Sequence, residues 1–207
     1  SGARAPHRLV IRHRPTLVLF VVAFFGGLPW SIWVAFIVVF FQTTYGVTQA
    51  VASIVTLTTG VGMFVGTQLG GRLGDRVGHR WMLRITLVGL AVMIGVLMIL
   101  PLALAAVAAC NVVYTAFYGA RTVSQNALLV GQIPNARATV MAILSAVNVG
   151  AQALAGVVGG FVIDHAGFSL LGVFCVLSTA VAAATLWLYG RGRAPAREEQ
   201  EEPEHAS

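Results

Sequence analysis

Gly70-Gly71-Arg72-Leu73-Gly74-Asp75-Arg76-Val77-Gly78-His79-Arg80-Trp81-Met82-Leu83-Arg84 is the stretch from which the whole chain can be oriented. It is the only dense cluster of charge between residues 15 and 190, and long apolar runs flank it. A short segment of glycine, arginine and one carboxylate between two membrane-length segments belongs at a membrane surface. The chain is 57% hydrophobic and 10% charged, whereas soluble domains carry about 25% charged residues. Little sequence remains for a water-soluble core.

The formal charge of +6 raises the question of nucleic acid. Placement answers it. All 13 basic residues are arginines, and almost all lie between apolar segments, which is a topology signal and not a nucleic-acid surface. Cys110 and Cys175 fall inside apolar runs without CxxC spacing or a nearby histidine, so they read as core thiols. No metal site and no cofactor is indicated.

Working outward, residues 1–15 form a basic juxtamembrane segment, and six apolar spans follow at about 16–41, 48–71, 81–100, 102–130, 138–163 and 168–189. Residues 191–207 hold five Glu and no apolar run, the composition of a disordered, solvated tail. The predicted fold is therefore an all-α membrane bundle of six transmembrane helices over 16–190. The absence of a methionine at Ser1 suggests a piece of a longer chain or a processed one. Pro29 should remove one backbone hydrogen bond from the first span, a defect membrane helices tolerate when a neighbour compensates. Gly62, Gly66, Gly70 and Gly74 recur every four residues and share one helix face, which lets another helix approach closely. Gly156 and Gly160 extend the same expectation to the fifth span.

Six spans place both termini on one side, and the arginines agree. Twelve of the 13 fall in the N-terminus, the 70–84 loop, the 131–137 loop and the C-terminal tail; the turns near 42–48, 101 and 164–167 hold none. The arginine-bearing side is then cytoplasmic. Arg121 is the exception. It lies about 19 residues, roughly 28 Å, from the outer end of its span. At that depth snorkelling to the interface and a substrate or ion-pair role are both open.

Two enzymatic readings fail. An intramembrane aspartyl protease needs Gly-x-Gly-Asp and a second intramembrane aspartate; Arg72-Leu73-Gly74-Asp75 lacks the first glycine, and Asp164 falls on the opposite face. A rhomboid-like protease needs a serine motif and a helix-borne histidine at mid-depth, and neither is present. Arg72, Arg76, Arg80 and Arg84 can pair with Asp75, helix C-terminal carbonyls or lipid phosphates. Asp75 itself can cap exposed N–H groups at a helix start. From these residues alone, a plain positive-inside anchor explains the loop equally well.

Gly71-Arg72-Leu73-Gly74-Asp75-Arg76-Val77-Gly78-His79-Arg80 resembles the signature loop between the second and third helices of the major facilitator superfamily. It departs at Gly74, usually Ala, and at His79, usually Arg. The Arg137 loop and the glycine-rich Asn148-to-Gly160 segment are also similar, so the resemblance covers 15 to 190. It implies a secondary transporter working by alternating access, with Gly71, Gly74, Asp75, Arg76, Gly78 and Arg80 forming a cytoplasmic latch around Asp75. His79 stands where the family has a permanent charge, and that departure puts its own part in the latch in doubt. Family members pair two six-helix halves. No arginine stands early in the fourth span, where Asn111 and Tyr114 lie, and the fifth lacks the antiporter proline; both favour the C-terminal half.

Candidate substrate-cavity residues are the intramembrane polar and aromatic groups Trp30, Tyr114, Arg121, Gln125, Asn126, Asn148 and Gln152; hydrogen bonding and packing between helices explain them as well. The implied partners are membrane lipids, a small-molecule substrate, and the other half or a second copy; no nucleic acid is expected. The implied location is a bacterial inner membrane. An efflux permease of drug- or sugar-export type is the leading functional reading, and a non-transporting scaffold or regulatory module of the same fold is the alternative.

Overall fold

The computed structural model describes residues 14–133 and 136–191. The basic N-terminal segment to residue 13, the tail from 192, and Pro134 and Asn135 lie outside the described residues. Among the described residues the long elements are all helices: α1 (Arg14–Tyr45), α2 (Gln49–Val77), α3 (His79–Ile99), α4 (Leu104–Gln132) and α5 (Arg137–Arg191). Six separate helices were expected and five elements are found. The fifth and sixth expected spans are two arms of α5, which breaks at Gly167, where φ is 74° and ψ is −177°. Only glycine adopts that backbone readily. A straight helix of 55 residues would run about 80 Å. Instead Val140 and Leu144 from one arm share an apolar cluster with Ala182 and Leu186 from the other, so the chain doubles back.

Four elements, α1, α2, α3 and α5, are long and apolar enough to cross a membrane. The exception is α4, which carries Asn111, Arg121, Ser124 and Gln125 and turns all four inward. Its polar side chains are hidden by the neighbouring helices and not by its own composition.

Two apolar layers form the core. One, at the arginine-rich end, gathers Leu19, Phe20, Val22 and Ala23 of α1, Leu83 and Leu87 of α3, Leu129 of α4 and both arms of α5. The other gathers Leu28 to Phe41 of α1, Leu90 to Met98 of α3, Tyr114 of α4, and Leu171 and Cys175 of α5. Arg121, Ser124, Gln125, Ser178 and Thr179, all buried, lie between the two layers along their helices. At the far end the Tyr45 hydroxyl donates to the Leu102 carbonyl at 2.9 Å, tying the α1–α2 and α3–α4 turns together. Leu100 has the extended backbone required before Pro101.

The glycine stripe of α2 packs on α4. A Cβ at Gly62 would collide with Thr115 and the Val112 carbonyl, one at Gly66 with the Ala116 carbonyl, and one at Gly70 with Ala120. Gly119 of α4 returns the contact, its place for a Cβ lying 2.7 Å from the Met63 carbonyl. In α5 the register differs from expectation. Gly156 and Gly160 meet nothing within 4 Å, while Gly159 lies against Phe36 of α1. Ala151, Ala155 and Gly159, four residues apart, make the inward stripe, which turns Gly156 to the outside.

Helix α1 continues through Pro29. Proline supplies no N–H, so the carbonyl four residues earlier, Phe25, loses its helical partner. Ser178 Oγ, from the second arm of α5, donates to the Phe25 oxygen at 2.7 Å. Removing that hydroxyl by Ser178→Ala should cost about 0.5–2 kcal/mol. Adding Pro29→Ala restores the backbone donor, so the double variant should unfold at a higher temperature than Ser178→Ala alone; thermal unfolding in detergent measures both. By the same assay Gly66→Ala should destabilise by about 1–3 kcal/mol through overpacking. Gly131→Ala, which meets nothing within 4 Å, should not.

Candidate functional site

Arg121 is the centre of the polar layer. It is 3% exposed. Its Nη2 donates to the carbonyls of Val22 at 2.9 Å and Ala23 at 3.3 Å, both in α1. The guanidinium therefore ends on α1 inside the bundle. Gly26 makes the room: a Cβ there would stand 2.7 Å from Arg121 Nη2. The guanidinium carbon also sits 5.6 Å from the centre of the Tyr118 ring, within cation–π range. Among the described residues no carboxylate pairs with it, so backbone dipoles hold this buried cation. Arg121 Nε and Gln125 Oε1, one helical turn apart, are buried without a hydrogen-bond partner among the described residues. Unpaired polar atoms in a buried layer are costly.

Aromatic groups adjoin the arginine. Trp30 stacks on Tyr118 with ring centres 4.1 Å apart and planes within 9°. Tyr114 lies beyond, 6.4 Å from Trp30 and 6.3 Å from Trp33. Trp33 is fully buried and donates from Nε1 to Asn111 Oδ1 at 2.8 Å, while Asn111 Nδ2 donates to Thr58 at 2.9 Å and Thr59 at 3.0 Å. This network joins α1, α2 and α4 and was not anticipated from the sequence. Its signal was present: a lone asparagine within an apolar helix needs partners, and Thr58-Thr59 is the polar pair in the facing span.

The candidate cavity residues divide. Trp30, Tyr114, Arg121 and Gln125 are brought to one region between α1 and α4. Tyr114 is 1% exposed, so in this conformation it is core and lines no open wall. Asn148 is half-buried, its Oδ1 3.8 Å from the place of a Cβ on Gly27. Asn126 is half-buried on α4, and Gln152 is exposed on the outer face of α5 with Gly156.

The signature segment is mostly helix. α2 runs to Val77, so Gly70 to Arg76 are its last turns, and the loop shrinks to Gly78 at φ 90°. The Gly78 N–H donates to the Gly74 carbonyl at 2.9 Å and ends the helix. Asp75 does not cap α3, whose start at Gly78 has no side-chain cap. Nor does it pair with Arg76 or Arg80 among the described residues. Its carboxylate meets His79 Nε2 at 3.3 Å. The other ring nitrogen of His79 lies 3.5 Å from Ser124 Oγ on α4, and the ring fills the space beside Gly74. The substitution at residue 79 thus carries a contact that an arginine was expected to make: a short flat ring fits between Asp75 and Ser124 where α2 and α4 approach closely. Gly74 in place of alanine is the complementary change, since a Cβ there would strike that ring.

No curated protein sequence matches the chain. The family model of the Major Facilitator Superfamily matches residues 19–207. That span takes in all five helices from the second turn of α1 onward, including the signature segment and the polar layer, and the chain accordingly belongs to the Major Facilitator Superfamily, whose members are secondary transporters of the membrane.

Proposed function

We propose that the chain is one half, the C-terminal half, of an inner-membrane efflux permease that exports small molecules of drug or sugar type by alternating access. The observation that carries the reading is the buried Arg121 with its unpaired Nε, beside Gln125 and the Trp30–Tyr118 stack. A cation held by backbone carbonyls and an aromatic face, with no carboxylate partner among the described residues, is a ready binding or coupling group for a ligand with acceptor atoms. The aromatic stack adds an apolar wall for a partly apolar substrate.

Orientation supports the reading. The start of α1, the end of α2, the start of α3 and both ends of α5 meet at one end of the bundle, and the arginines concentrate there. We assign that end to the cytoplasm. Ser145, Val149, Gln152 and Gly156 are exposed along one face of α5, and Ser53, Leu57, Phe64 and Gln68 along one face of α2. Bare polar groups in lipid are costly, so these faces suit the partner half or a water-filled path. Asp75, His79 and Ser124 form the latch between the signature segment and α4.

The test is transport by the intact protein in proteoliposomes, with a ligand-stabilisation screen to find the substrate. Arg121→Gln should reduce transport at least tenfold. Gly26→Ala, which pushes the guanidinium from its carbonyls, should reduce it in the same direction with Arg121 still present. Asp75→Asn should impair transport while leaving ligand binding largely intact; lost binding in a folded variant removes the latch assignment. A protein that moves no compound while remaining folded would favour the scaffold reading.

A further inference from the structure

Arg84 borders two hollows at the arginine-rich end, away from the polar layer. One is a cavity of about 210 Å³ lined by Pro15, Arg80, Arg84, Leu128, Gln132 and Tyr189, among others. It is smaller than the roughly 300 Å³ at which pockets for drug-sized ligands begin, and its lining is mixed, with two guanidiniums. The other is an open groove lined by Trp81, Arg84, Ile85, Val88 and Trp187, apolar apart from the arginine. Trp81 and Trp187 are exposed there. The Arg84 guanidinium lies over the Trp187 ring at 4.9 Å, and its Nε is buried without a hydrogen-bond partner among the described residues. No carboxylate lines either hollow.

We infer that these hollows form one binding site for an acidic phospholipid, with the phosphate on Arg80 and Arg84 and an acyl chain in the Trp81–Trp187 groove. Three observations converge on a ligand that is anionic at one end and apolar at the other. Arg84 is held in place by its stack on Trp187 and still has an unused buried donor, which suits a phosphate oxygen. It lies five residues into α3, about 8 Å along the axis, the depth at which headgroups give way to acyl chains. Exposed tryptophans at that depth are interface residues, and here they flank a groove that begins at the cation. A free phosphate would satisfy the arginines and leave the groove empty; a zwitterionic lipid would fill the groove and bring a positive group toward two guanidiniums.

The experiment is lipid binding to the purified intact protein in detergent, read by native mass spectrometry and by the shift in unfolding temperature. The probes are phosphatidylglycerol, phosphatidylcholine with the same chains, and inorganic phosphate. Phosphatidylglycerol should bind and raise the unfolding temperature, and the other two should not. Arg84→Gln should weaken phosphatidylglycerol binding about tenfold, as expected for one lost charged hydrogen bond. Trp187→Ala should weaken it while keeping both arginines, and Arg72→Gln, exposed on α2 outside the hollows, should leave it unchanged. Should Arg84→Gln misfold, Arg80→Gln and Trp187→Ala carry the test. Equal binding of phosphatidylcholine, an equal shift from inorganic phosphate alone, or unchanged phosphatidylglycerol binding in folded Arg84→Gln or Trp187→Ala would each overturn the site.

Discussion

Side-chain donors from other helices that end on backbone carbonyls of α1 govern the centre of this molecule. Three carbonyls within one turn, those of Val22, Ala23 and Phe25, accept hydrogen bonds from side chains of other helices. Pro29 creates the need at Phe25, and Gly26 creates the space at Val22 and Ala23. Arg121 from α4 and Ser178 from the second arm of α5 then dock on α1 at nearly the same height. In an apolar solvent each unmade bond costs several kcal/mol, so this arrangement fixes where α4 and α5 sit along α1. The two apolar layers pack above and below it.

A second constraint acts between α2 and α4. Membrane helices gain no hydrophobic advantage from meeting each other, so close backbone approach must hold them together. Gly62, Gly66 and Gly70 on one side and Gly119 on the other supply it. That approach also decides what the end of α2 can do. It brings Gly74 and His79 against α4 near Ser124, so the charged segment touches the same helix that carries Arg121 and Gln125. Ser124, which His79 meets, and Arg121 lie within one turn of α4.

These two constraints separate function by height in the bundle. Charge collects at one end, where Arg80, Arg84 and the exposed tryptophans meet the membrane surface. Two of the three buried unpaired polar atoms among the described residues, Arg121 Nε and Gln125 Oε1, lie in the layer between the apolar clusters. The far end holds aromatic packing and the Tyr45–Leu102 tie, with none of the described arginines.

Much of this was legible in the sequence. Apolar run lengths, the arginine spacing and the four-residue glycine repeat depend on local chemistry, and they set a helical membrane chain, its charged end, the α2 packing face and the need created by Pro29. The turn near Gly167 was legible too, as the run Asp164-His165-Ala166-Gly167. Other features rest on rotation about a helix axis and on what stands opposite, which no single stretch encodes. For Arg121 the sequence leaves snorkelling and an inward role both open, and it ends on α1 carbonyls because Gly26, some 95 residues away, leaves room there. Gly156 and Gly160 face out because Ala151, Ala155 and Gly159 take the contact with α1. Asp75 pairs with His79, and not with Arg76 or Arg80, because α2 stays helical to Val77 and the turn at Gly78 returns the ring to the carboxylate. Composition and period determined which segments cross the membrane and where charge lies; only the tertiary structure decided which polar atoms are answered, because each answer comes from another helix.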